Sequence, residues 1–85
     1  SDLAVALAVV SAQRGKPLPS DMVIIGELGL SGEVRSVHHL EKRLQEAEKL
    51  GFSQAIIPKT KQEKKTKMAL LEVRTLSEAI AQLHF

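Results

Sequence analysis

Residues 26–37, Gly-Glu-Leu-Gly-Leu-Ser-Gly-Glu-Val-Arg-Ser-Val, constrain this chain more than any other segment. An apolar, β-branched run, Met22-Val23-Ile24-Ile25, leads into it, and Val34 and Val37 flank a polar pair on the way out. Gly29 and Gly32 stand where a chain reversal needs a positive φ or a close backbone approach. The pattern predicts two strands, residues 22–28 and 33–37, joined by that turn. The first is almost uninterruptedly apolar, as in a strand covered on both faces.

Helical periodicity resumes at once. Leu40, Leu44, Ala47 and Leu50 recur on one face of a helix predicted over residues 39–50, with Gly51 to end it. An earlier helix is predicted from Asp2, a suitable N-cap, to about Arg14. It is apolar nearly all round, which predicts a buried helix. Gly15 is placed to end it, and Pro17 and Pro19 block its continuation. Residues 53–57 read as a strand stopped by Pro58, and residues 68–73 as containing another. Thr75-Leu76-Ser77-Glu78 is a capping box for a last helix, whose stripe is Leu76, Ala79, Ile80 and Leu83. The order α-β-β-α-β-β-α argues an α/β layered fold in a single domain over residues 1–85. The chain opens directly inside an apolar helix, so it is expected to be part of a longer polypeptide, with N-terminal strands of the full domain missing. An unpaired sheet edge and exposed apolar surface on the first helix are then expected.

With 85 residues, the chain buries only roughly 60–65% of its unfolded surface. Two Phe and no Trp or Tyr make the core aliphatic. There is no Cys, which excludes a disulfide scaffold, a thiol nucleophile and a cysteine-ligated zinc site in this chain. No apolar run approaches the roughly 20 residues of a membrane span. The expected location is cytoplasmic, without a membrane partner. The net charge of +2 points to no partner, but its distribution is uneven. Residues 59–67 hold five Lys and one Glu, a local +4, so the remainder carries −2.

The hairpin spelling Gly26-Glu27-x-x-Leu30-x-Gly32-x-Val34, followed by a charged amphipathic helix, resembles the Lon-protease-type domain. Residues 2–8, 14–21 and 46–59 extend the resemblance through nearly the whole chain, in the version carried by RadA/Sms-type DNA repair proteins. The resemblance implies a Lon proteolytic-domain-like fold. In that family a nucleophilic serine precedes the first helix. Aligned without gaps, it falls just before Ser1, and Ser1 takes the small residue that follows. The family's catalytic lysine falls on Arg43. A Ser–Lys dyad needs an amine that can lose its proton near neutral pH. Arginine stays protonated, so the resemblance implies no peptidase activity and no catalytic residue in this chain. His38 and His39 stand where Lon proteins carry two small residues. RadA/Sms-type proteins have a zinc motif and a RecA-type ATPase upstream and act as rings on branched DNA. ATP, Mg and Zn are therefore expected only in those modules, and no cofactor or metal in this chain. The expected partners are other subunits of a ring-like homo-oligomer and, through its basic loop, DNA.

Several side chains admit two readings. His38 and His39 are metal ligands or surface and capping residues, with no third ligand at recognisable spacing. Glu27 and Glu33 flank the turn as a carboxylate pair or as structural or interface groups. Arg43 contacts a neighbouring subunit or DNA, or pairs locally with Glu41 or Glu46. Lys59, Lys61, Lys64, Lys65 and Lys67 hold DNA phosphates without sequence preference, or form a solvated loop. No aromatic residue is interleaved there for base stacking. The function expected is a non-catalytic scaffold or DNA-binding module of a RadA/Sms-type repair ATPase. One alternative is a Lon-class Ser–Lys protease fragment using Lys42 as base, and another is a pure oligomerisation module.

Overall fold

The computed structural model describes residues 2–85; Ser1 lies outside the described residues. The elements are α1 (Leu3–Arg14), β1 (Met22–Ile24), β2 (Glu27–Leu28), β3 (Val34–Arg35), α2 (Leu40–Lys49), β4 (Gln54–Pro58), β5 (Ala69–Val73) and α3 (Leu76–Gln82). The sheet β1-β4-β5 is parallel throughout, and β2-β3 form a separate antiparallel hairpin. The protein is α/β, as expected.

The run 22–28 is not one strand. Ile25 donates to the Ile56 carbonyl (2.9 Å), and the chain then leaves the sheet, with the Gly26 carbonyl accepting from Leu3 (3.2 Å). A Cβ on Gly26 would stand 3.1 Å from Val34 and 3.2 Å from Leu3, so the crossing point is tight enough to favour glycine. The hairpin therefore has its own strand, β2. In the turn, Gly32 takes φ +84°, and a Cβ on Gly29 would collide with the Glu33 carboxylate at 2.3 Å. Gly32 meets the need for a positive φ, whereas the contact at Gly29 is with the end of the flexible Glu33 side chain, which can move aside, so close backbone approach is not what that position requires.

The sheet separates two apolar layers. Val23, Ile25, Ala55, Ile57 and Leu70 face Leu40, Leu44 and Ala47 of α2, with Met68 and Phe52. Met22, Ile24, Ile56, Leu71 and Val73 face Leu3 and Leu7 of α1 and Ala79 of α3. Strand periodicity of two produces this division.

The split of 22–28 adds a strand to the expected order α-β-β-α-β-β-α, and the strand expected over 33–37 is only Val34–Arg35. Three further expectations need correction. Helix α1 is not buried all round: Leu3 and Leu7 are buried, while Val5 and Val9 are 61% and 51% exposed. Leu50 lies one residue beyond α2 and is exposed rather than part of its buried stripe. Pro58 does not stop β4 but belongs to it, fully buried. Ile56 is hydrogen-bonded toward β1, so the Pro58 nitrogen also faces that side, beyond the end of β1, where no carbonyl waits for a donor. Lys59 then donates to Val73 (2.9 Å), extending the pairing with β5.

The capping box holds in modified form. Thr75 Oγ1 accepts from Glu78 N (3.1 Å), but the Glu78 carboxylate reaches Arg74 N (2.6 Å), one residue further back. At the other sheet edge, β1 has no strand beyond it among the described residues. Alternation along β1 turns the Ile24 amide and carbonyl toward that open edge.

Candidate functional site

Residues 59–68 are the connection between β4 and β5. Adjacent parallel strands need a crossover, usually a helix. This one has no helix, so ten residues must return the length of a five-residue strand, roughly 16 Å. The path runs over the α2 face of the sheet. Carboxylates of α2 receive it: Glu41 accepts from Lys65 N (3.2 Å), and Glu48 accepts from Thr66 Oγ1 (2.5 Å) and Lys67 N (3.0 Å). Seven residues apart, Glu41 and Glu48 lie two turns apart along one side of the helix. These contacts hold the Glu48 carboxyl below its ordinary value, chiefly through the Thr66 hydroxyl.

The five lysines of the loop have different fates. The Lys64 side chain is 9% exposed; its ammonium pairs with Glu72 (2.8 Å) and donates to the Thr60 carbonyl (2.6 Å). That pairing in turn lowers the Glu72 pKa. Lys59, Lys61, Lys65 and Lys67 are exposed. Lys65 and Lys67 border a cleft of about 470 Å³ between α2 and the loop, together with Gln45, Glu48, Lys49 and Thr66. Among the described residues, Lys49, Lys65 and Lys67 form no ion pair. Sequence reasoning missed Lys49 here, and it missed Glu41 and Glu48 as the loop's anchors. Helix periodicity could have placed the two glutamates on one side of α2, but nothing local reveals that the loop returns there.

The other candidates lie apart from this cleft. Arg43 is exposed on α2 and borders a smaller groove of about 250 Å³ beside β1, lined also by Glu46, Val23, Ala47 and Phe52. It forms no ion pair with Glu41 or Glu46, and the Glu41 carboxylate is turned to the loop instead. Lys42, beside it, is also exposed. His38 and His39 are exposed, their ring centroids 6.4 Å apart. His39 occupies the N-cap of α2 in left-handed conformation (φ 58°), with no side-chain capping bond. Among the described residues no group of three or more His, Cys, Asp or Glu side chains gathers as a metal site.

Glu27 and Glu33 are not an isolated carboxylate pair. Glu33 accepts from Ser31 N (3.0 Å) and pairs with Arg35 (2.8 Å), which lowers its pKa, the Arg35 hydrogen bond first. Glu27 sits on β2 opposite Arg35 and is exposed within this chain. Arg14 reaches toward the Phe85 carbonyl (3.5 Å), so neither Arg14 nor Arg35 joins the loop lysines.

Residues 1–61 match the family model described as subunit ChlI of Mg-chelatase. The chain belongs to that family. Within it, the chain is RadA-like. It is 48% identical over 83 residues to the DNA repair protein RadA of Aquifex aeolicus, covering 98% of this chain and 19% of that protein. It is 45% identical to RadA of Escherichia coli, covering 95% of this chain and 18% of the relative. Against RadA of Listeria monocytogenes identity is 57% over 58 residues, 68% of this chain and 13% of the relative. The chain thus spans about a fifth or less of the length of these relatives. No helix among the described residues is long and apolar enough to cross a membrane.

Proposed function

We propose that this chain is a non-catalytic, Lon-like module of a RadA/Sms-type DNA recombination and repair ATPase, used for subunit assembly and contact with DNA. The observation that carries the reading is how the basic loop is secured. Its anchors are carboxylates on backbone N–H groups and on Thr66, so the loop is ordered while most of its ammonium groups stay unpaired. An ordered row of cations suits the sequence-independent phosphate contacts of a nucleic-acid module. Similarity to RadA proteins over nearly the whole chain supports the same assignment.

The absence of peptidase chemistry rests on Arg43, a guanidinium where the resemblance asks for a lysine, exposed rather than desolvated. Assembly is supported by the open edge of β1, by the exposed Val5 and Val9 of α1, and by Leu30, wholly exposed at the hairpin tip. ATP, Mg and Zn belong, in this reading, to other segments of the longer protein.

Two assays on the full-length protein test the proposal. Duplex and single-stranded DNA should bind with an affinity that falls steeply with salt. An unfolded protein substrate should stay intact in the presence of ATP. Serine-dependent cleavage of that substrate would remove the non-catalytic reading, and absence of DNA binding at low salt would remove the DNA-contact part.

A further inference from the structure

We infer that the cleft between α2 and the crossover loop is a binding site for the DNA phosphate backbone, in which Lys49, Lys65 and Lys67 make the contacts and Lys64 makes none. The inference rests on the DNA-contact reading above and narrows it from a loop to a cleft. Three lysines line the cleft against one acidic residue, Glu48. That carboxylate takes Thr66 Oγ1 and Lys67 N on Oε1 and stays ionised, so three lysines against one glutamate leave the cleft a net charge of +2. The C-terminal end of α2, near Lys49, carries roughly half a negative charge, too little to offset three lysines.

Preorganisation favours the same site. The backbone at Lys65 and Lys67 is fixed by Glu41 and Glu48, so less ordering remains to be done when a phosphate arrives. Gln45 adds a carboxamide that can donate to a phosphate oxygen. The lining holds no aromatic side chain, so it suits the backbone of either strand rather than stacked bases. Lys64 is spent inside the protein: its ammonium is held by Glu72 and the Thr60 carbonyl. Lys59 and Lys61 lie outside the lining.

The test is a salt series of duplex-DNA binding by the full-length protein, read by fluorescence anisotropy. Lys49→Gln, Lys65→Gln and Lys67→Gln should each reduce the log–log salt slope by about one, and the triple variant by about three. Lys64→Gln should leave the slope unchanged. Wild-type binding with a slope untouched by the triple variant would overturn the cleft and leave the DNA-contact reading standing. No binding by the wild type at low salt would overturn both. A slope reduced equally by Lys64→Gln would overturn the division among the lysines. Amine-reactive footprinting of the wild-type complex gives an answer that does not depend on variants folding. DNA should protect Lys49, Lys65 and Lys67 several-fold, and unchanged labelling of all three would refute the site.

Discussion

The hairpin turn and the basic crossover are both loops organised by glutamate, and they differ in where the glutamate comes from. Glu33 closes its turn from within, accepting from Ser31 and Arg35, each two residues away. The crossover is closed from outside: Glu48 is 18 and 19 residues from Thr66 and Lys67, and Glu41 is 24 from Lys65. The Glu33 contacts need only the local backbone, although the hairpin is also tied to the segment before α3 through Val34 N to the Arg74 carbonyl (2.8 Å) and Leu76 N to the Gly32 carbonyl (2.9 Å). A loop closed by a distant helix has no shape until α2 has docked on the sheet, so its order depends on tertiary packing. The two should therefore respond differently to the same kind of damage.

The largest separation is expected at Glu72. Glu72→Ala leaves the Lys64 ammonium nearly buried without its counter-ion, which should cost about 2–3 kcal/mol in chemical denaturation. Lys64→Met together with Glu72→Leu should recover most of that loss, because no buried charge is left unpaired. Glu33→Ala, in the exposed hairpin pair, should cost clearly less than Glu72→Ala. Equal losses would mean that the crossover is no more dependent on interior pairing than the turn.

Gly32→Val acts on the other side of the comparison. A β-branched residue at φ +84° should destabilise the protein by about 1–2 kcal/mol while leaving the amide shifts of Lys65 and Lys67 in place. If those shifts move as much as those of Ser31, the hairpin and crossover are not independent. Glu48→Ala should do the reverse at a smaller cost. Trypsin should cut within residues 59–67 several-fold faster, with the hairpin amides unchanged. No acceleration would show that the loop's order does not come from α2.

The same difference decides what could be read from sequence. The hairpin was legible because Gly32 and Glu33 act over a few residues. Helix α2 was legible from Leu40, Leu44 and Ala47, and α3 from its capping box. The break after Ile25 was not, because only Leu3 and Val34, brought close by the fold, make Gly26 a crossing point. Exposed apolar surface on α1 was expected, but not that Val5 and Val9 would carry it: an apolar helix does not say which of its faces the sheet will cover. The candidate site was half legible. The lysine run is plain in the sequence, but the removal of Lys64 by Glu72 and the arrival of Lys49 belong to the parallel crossover.

The smallest effect expected is electrostatic and separates the two glutamates themselves. Both carboxyls are held below the ordinary glutamate value of 4.5. A carboxyl whose pKa is lowered by folding adds stability above the unfolded value, and that stability is lost as pH falls through the lowered folded value. Both loops should therefore loosen below pH 4.5, and Ser31 and Lys67 amide shifts should report the two midpoints. The leading causes differ: the guanidinium of Arg35 for Glu33, the neutral hydroxyl of Thr66 for Glu48. Salt screens an exposed ion pair far more than a hydrogen bond to a hydroxyl. Raising the ionic strength should accordingly move the Glu33 midpoint back toward 4.5 more than the Glu48 midpoint, whereas Thr66→Val should raise only the latter. Equal salt shifts at the two sites would mean that lysine charge, chiefly that of Lys67, holds Glu48 in its ionised form, and that the crossover is an ion-paired loop after all.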